Sequence, residues 1–239
     1  MLNYVFYCMV NKILKLLNLP KGIKTFFTPF TKLEVYSKEN FKLFVKVRKR
    51  IFLSGSGFDN EIEAMQNIKI LKLIDEIALE LSKYDDVGII TGCCSDYSIS
   101  SRIVKRLKEL VPNYPVIGIS RYSNLPIKTK YESLTKLHDA ILYCGYDKID
   151  LPHCWKFALQ DLIQVMICDC VLSMHGSIGT NHELSTAYEL QKPVGLVVGF
   201  EGVTDIHPLI VGSIKKEGRK DINAVYNKNP KVLIKFLLK

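Results

Sequence analysis

The chain contains no Cys-x-x-Cys pair: its seven cysteines are an odd number, and Cys93-Cys94, Cys168-x-Cys170 and His153-Cys154 lack the spacing of a zinc site. Neither a disulfide framework nor a metal or other cofactor is expected, and reduced thiols fit a cytoplasmic protein. Long apolar runs are also missing. The stretch 4–10 is apolar but too short to span a bilayer, Lys12 ends it, and no basic leader or small-residue cleavage site accompanies it. Helix-turn-helix, zinc-finger and RNA-binding signatures are absent, which argues against specific nucleic-acid recognition. There is no Gly-x-Gly-x-x-Gly either, and Thr91 stands where the second strand of a dinucleotide-binding unit ends on an acidic residue. A mononucleotide held by its phosphate is therefore favoured over a dinucleotide held by its ribose hydroxyls.

What is present is charge of one sign, unevenly spread. The 239 residues carry a net charge of +9 and are 48% apolar. Residues 1–50 hold eleven Lys and Arg against Glu34 and Glu39, whereas residues 51–239 hold 22 of each sign. The excess thus belongs to an N-terminal extension, 1–49, in which Lys and Arg are interleaved with Phe, Leu, Ile and Tyr. Docking to an anionic membrane surface or acidic partner and packing as extra helices are both compatible with that pattern. The neutral remainder, 50–239, is long enough for one well-buried domain.

From Arg50 onward short apolar runs alternate with longer amphipathic ones. Strands are expected at 51–53, 87–91, 116–119, 170–174 and 194–198, and helices at 62–83, 99–110, 154–167, 181–190, 206–216 and from Pro230, which suits a first helical turn. Residues 121–150 read as a surface excursion with one apolar stretch, 140–144. Strands separated by helical crossovers call for an α/β, Rossmann-like doubly wound fold, largely parallel, with helices on both faces. Ligands bind such folds beyond the carboxyl ends of the strands. Three glycine-bearing loops leave those ends: one with Gly55, Ser56 and Gly57, one with Gly92, and one spanning 175–180.

The third loop is the most informative. In Val171-Leu172-Ser173-Met174-His175-Gly176-Ser177-Ile178-Gly179-Thr180-Asn181-His182-Glu183 a buried strand passes through a glycine turn into a helix beginning near Thr180. Gly176 and Gly179 admit unusual backbone angles and close approach of a ligand, and a helix start aims amide groups and a positive dipole at the turn. Gly176, Ser177, Gly179 and Thr180 are accordingly candidate phosphate-binding residues. Thr180-x-x-Glu183 is equally a capping box, which would account for both residues structurally.

The same run resembles the PGGxGTxxE motif of the Lonely Guy family, nucleotide phosphoribohydrolases long labelled lysine decarboxylases, and of the related molybdenum-cofactor carrier proteins. Residues 51–57 look like that family's first strand and loop, 88–95 like its "tGGG" segment, 115–120 like its "viGi" strand and Gln191-Lys192-Pro193-Val194 like "gKPv", so the resemblance covers roughly residues 50–239. It implies a Rossmann-like domain, usually dimeric, that binds a nucleotide phosphate at the glycine turns, with Glu183 as the catalytic residue in hydrolytic members. Those members also use an Arg nine residues before the strand Asp, and Gln160 occupies that place relative to Asp169. His175-Gly176-Ser177 replaces Pro-Gly-Gly, and Cys93 and Cys94 replace glycines. Lys156, His175 and His182 are further candidate phosphate contacts. The expectation is a nucleotide-binding sensor or carrier; the alternatives are a nucleoside 5'-monophosphate phosphoribohydrolase releasing base and ribose 5-phosphate, and a docking protein acting through the extension.

Overall fold

The computed structural model describes residues 22–27, 32–37, 46–55, 67–93, 97–121, 136–145, 150, 152–218 and 222–239. Among them nine strands form one sheet: β1 (Gly22–Phe27), β2 (Lys32–Ser37), β3 (Lys49–Ser54), β4 (Val87–Thr91), β5 (Val116–Ser120), β6 (Ala140–Tyr143), β7 (Cys170–Met174), β8 (Val194–Val197) and β9 (Ala224–Asn227). The helices are α1 (Ile68–Leu81), α2 (Ile99–Leu110), α3 (His153–Ile167), α4 (Ile178–Glu189), α5 (His207–Lys216) and α6 (Pro230–Leu237). Strand order is β1-β2-β6-β5-β4-β3-β7-β8-β9, with seven strands parallel and the β1–β2 hairpin antiparallel on β6. The expected α/β, Rossmann-like doubly wound sheet is what forms.

Parallel strands covered on both faces need side chains that tolerate burial at every position, which is why β4, β5 and β7 are mostly apolar and buried throughout, with small hydroxyl residues, Thr91, Ser120 and Ser173, only at or near their carboxyl ends. Alternate residues point to opposite faces. Phe52, Ile90 and Ile117 join one core with Leu184 and Ala187 of α4 and Val211 of α5, while Ile51, Leu53 and Ile89 join another with Leu81 of α1, Leu107 of α2 and Leu233 of α6. Each such side chain withdrawn from water contributes roughly 1.5–3 kcal/mol. Cys168 and Cys170 are buried within these cores, and burial pushes the Cys168 thiol up to about 12, so they act as small apolar side chains.

Several helix starts follow local sequence. Asn67 accepts from the Ile70 amide at 3.1 Å, Ser98 from Ser101 at 3.1 Å, and Asn229 from Lys231 at 3.0 Å ahead of Pro230. Three elements differ from expectation. The apolar stretch 140–144 contains β6, which hydrogen-bonds beside β5 and carries the hairpin. Part of the basic extension is that β hairpin rather than extra helix. Strand β9 was not foreseen: it is a four-residue edge strand with Tyr226 exposed and no apolar run to announce it. Among the described residues no helix is long and apolar enough to cross a membrane.

Candidate functional site

Strand order runs outward in one direction from β3 through β4 and β5, and in the other from β7 through β8 and β9. The reversal lies between β3 and β7, where the crossovers leave for opposite faces and a crevice opens at the carboxyl ends. Ser54 and Ser173 are register partners at that crevice, their hydroxyls 3.4 Å apart. Glu183 reaches over from α4, and the Ser54 hydroxyl donates to its Oε2 at 2.5 Å. The Glu183 carboxylate therefore occupies the switch point itself. Gly55 follows Ser54, and a Cβ there would lie 2.7 Å from the Met174 carbonyl, so only glycine lets β3 leave so close to β7.

After β7 the chain turns through His175 (φ 51°) and Gly176 (φ 116°) into α4. A side chain at Gly176 would overlap that of Thr180, which is itself buried. This corrects the capping-box expectation. Helix α4 begins at Ile178 with Ser177 as N-cap, Thr180 packs inside the first turn instead of capping it, and Glu183 bonds Ser54 across the crevice instead of reaching back to the cap. Ser177 makes no side-chain capping hydrogen bond. Gly179 is likewise helical, with nothing within 4 Å of where a Cβ would stand, so its contribution is open space and not an unusual backbone angle. The result is a helix start at the carboxyl end of β7 whose first-turn amides lack intrahelical acceptors, the kind of terminus that receives anions.

The loop after β8 holds this turn in place, a feature with little sequence signal. The Val203 amide donates to the Gly176 carbonyl at 2.9 Å, and His175 Nδ1 lies 3.1 Å from the carbonyls of Phe200 and Glu201. The Asp205 carboxylate accepts from the Gly199 and Glu201 amides, organising the loop. His175 is thereby engaged with backbone on its Nδ1 side.

Around Glu183 a set of charges gathers that sequence reading did not assemble. His182 Nδ1 is 3.0 Å from Asp161 Oδ2, an aspartate on α3 whose side chain is 7% exposed against 48% for the histidine. Burial pushes Asp161 up to about 6, with the His182 hydrogen bond pulling the other way. Burial also raises Glu183 well above the ordinary carboxylate range, and the Asp161 charge adds to the rise while the Ser54 hydrogen bond opposes it. Both acids thus resist ionising. The Arg121 guanidinium, immediately past the carboxyl end of β5, stacks 3.8 Å above the Phe157 ring, and its charge favours ionised Asp161. Its position at a strand's carboxyl end was the available signal for Arg121; Asp161 had none.

Gln160 stands in the place of the expected catalytic Arg. It is buried, and its Nε2 donates to the carbonyls of Gly92 at 2.6 Å and Ile119 at 2.7 Å. Gly92 is therefore part of a brace between β4, β5 and α3, and the left-handed backbone in that loop falls on Cys93 (φ 46°). Asp169 accepts from the Arg50 amide at 2.7 Å, an orienting role. Gly55, Gly176, Ser177, Gly179, Thr180 and Glu183 converge on the β3–β7 crevice and the start of α4. Ser56 and Gly57 lie outside the described residues, as do residues 94–96. Among the described residues no group of three or more His, Cys, Asp or Glu is arranged to hold a metal ion. A cavity of about 830 Å3 opens beside the first turn of α4, touching Ser177, Gly179 and the Asp161–His182 pair.

No family model matches the chain, and no curated protein matches its sequence. Solved structures do. The X-ray structure of TM1055, a structural-genomics target, shares 19% identity over 80% of this chain and 99% of its own, with a TM-score of 0.58. DNA processing protein A from Helicobacter pylori, whose structure describes its single-stranded DNA binding mode, shares 14% over 91% and 97%, with a TM-score of 0.59. The molybdenum cofactor binding protein from Rippkaea orientalis shares 16% over 80% and 98%, with a TM-score of 0.56. At such identities what this chain shares with all three is the Rossmann-like fold.

Proposed function

We propose that the β3–β7 crevice binds a nucleoside phosphate, its phosphate on the first turn of α4, and that the protein works as a sensor or carrier in the cytoplasm. The observation that carries this reading is the start of α4 at the switch point: a glycine turn, a helix N-terminus without a side-chain cap, and the Ser54–Glu183 pair meet there. Binding without hydrolysis is favoured. Cleaving an N-glycosidic bond builds positive charge on the ribose, and a carboxyl group held toward its neutral form stabilises such charge poorly. Gln160 is uncharged and committed to two carbonyls, so it does not replace an arginine. The balanced charge of residues 51–239, 22 of each sign, supports a mononucleotide over a long nucleic-acid strand, which needs a cationic track.

Phosphoribohydrolase activity is the second reading, favoured by the placement of Glu183 beside the anion site. One preparation separates the two. Nucleoside monophosphates are incubated with the protein while free base is followed by chromatography and unfolding by thermal shift. Ligand at 100 times its Kd stabilises by about 2.7 kcal/mol. Stabilisation without base release is expected, and base release abolished by Glu183→Ala would replace the carrier reading with the hydrolase. A homodimer, usual for the resembled family, belongs to this reading and is checked by sedimentation of the same samples.

A further inference from the structure

The helices divide between the two faces of the sheet, and the face away from α4 has an outer surface with a pattern of its own. Leu81 of α1, Leu107 of α2 and Leu233 of α6 share one core, with α1 packed between the other two helices. Their outward sides meet solvent. On α1, Ile68, Lys72, Asp75 and Leu79 recur at the spacing that keeps side chains on one side of a helix, and all four are exposed. Ile68 is 78% exposed, Leu79 52%, and Val232 on the neighbouring α6 45%. Single apolar side chains in water are ordinary. Here they stand among lysines.

Lys69 and Lys72 of α1, Lys105 of α2, Lys231 and Lys235 of α6 and Lys239 just past it are exposed, and none enters an ion pair among the described residues. The acids of this face are largely spent. Arg106 engages both Asp75 and Glu109, at 2.9 Å each, and α6 has no acidic residue; Glu76 and Asp85 are left over. The face is therefore cationic although residues 51–239 as a whole are balanced. Lysine interleaved with Ile, Leu and Val is the composition of a surface that lies on an anionic bilayer, the apolar side chains entering the headgroup boundary while the ammonium groups stay level with the phosphates. A nucleic-acid strand would pair with the lysines but leave Ile68, Leu79 and Val232 in water. We infer that the α2–α1–α6 face docks the protein on an anionic membrane surface, with α1 and α6 lying in the plane of the headgroups. Because Ile163 of α3, Leu184 of α4 and Val211 of α5 pack on the opposite face, the crevice at the start of α4 stays open in the docked protein.

The intact protein is sedimented with phosphatidylcholine vesicles that contain either no anionic lipid or about 30% phosphatidylserine. Sedimentation is expected with phosphatidylserine only. Lys72→Gln, Lys231→Gln and Lys235→Gln should each weaken it about fivefold, the worth of one lysine at an anionic surface, and the triple variant should nearly abolish it. Leu79→Gln combined with Val232→Gln removes the apolar contribution at exposed positions and keeps good helix formers there, so the fold stands and vesicle binding should fall at least about tenfold. Sedimentation that the triple lysine variant retains overturns the proposal, since residues 1–49 then supply the attraction. Binding indifferent to Leu79→Gln with Val232→Gln overturns it as well, because charge alone would then be at work and nothing would enter the bilayer. No sedimentation with phosphatidylserine also overturns it, and a single-stranded oligonucleotide held through the same lysines would in that case assign the face to nucleic acid.

Discussion

At the scale of single residues, burial and backbone angle determine what each side chain of the site does. Gly176 holds φ 116° with Thr180 packed against it, so Gly176→Ala meets both a strained backbone and an overlap, and a loss of roughly 2–3 kcal/mol in denaturant unfolding is expected. Gln160→Arg does not install a working catalytic arginine: it breaks two bonds to carbonyls and buries an uncompensated charge, so about 3 kcal/mol is lost and no base release is gained in the chromatographic assay. The two raised acids give a pH dependence of defined sign. A carboxyl whose folded pKa lies above its unfolded value stabilises fully below the unfolded value and loses that contribution as pH rises through the folded one. For Asp161 the window runs from 3.8 to about 6, and Glu183 extends the decline in the same direction. Unfolding free energy is therefore expected to fall from pH 4 to about pH 6 and to keep falling above it as Glu183 ionises, and Glu183→Gln should flatten that later part of the fall in denaturant unfolding followed against pH. Of these roles the sequence made Gly176 and Glu183 legible as candidates, and nothing in it showed that Glu183 is held toward neutrality.

At the scale of elements, α4 is the part on which the proposed function turns. Its N-cap Ser177 leaves the first turn without a side-chain cap. Ser177→Asp supplies one and places a negative charge where the phosphate would sit, so the free protein should gain about 0.5–1 kcal/mol while nucleotide affinity falls at least tenfold, both read by thermal shift with and without AMP. The element's existence was legible from Val171 to Glu183, yet its start was not. Thr180 and Glu183 satisfy a capping box on paper, but Gly176 makes room for the Thr180 side chain and Ser54 takes the Glu183 carboxylate, so the helix begins earlier, at Ile178. Capping signals are local, and here contacts across the sheet overrode them. Strands β3, β4, β5 and β7 were legible because burial on both faces demands mostly apolar stretches, whereas β9 sits at the edge and is only partly buried.

At the scale of the whole molecule, charge and topology separate what the chain attracts from what it binds. The net +9 draws polyanions, but residues 51–239 are balanced. Binding of a single-stranded oligonucleotide should therefore fall steeply with salt, by about 0.7 in log K per contacted phosphate for each decade, while AMP binding should show the shallow dependence of one phosphate; fluorescence titrations at 50 and 200 mM salt check this. What the amino-acid sequence determined by itself is the set of parallel strands, the glycines at their carboxyl ends and the neutrality of the body, because each follows from the burial or charge of consecutive residues. Only the tertiary structure decided that Ser54 meets Glu183 across 129 positions and that Asp161 meets His182 beside an apolar cavity. Those pairings depend on strand order and helix packing over long sequence separations. The protonation and reach of an acid depend in turn on its neighbours in space, which are settled when the sheet closes the distance between β3 and β7.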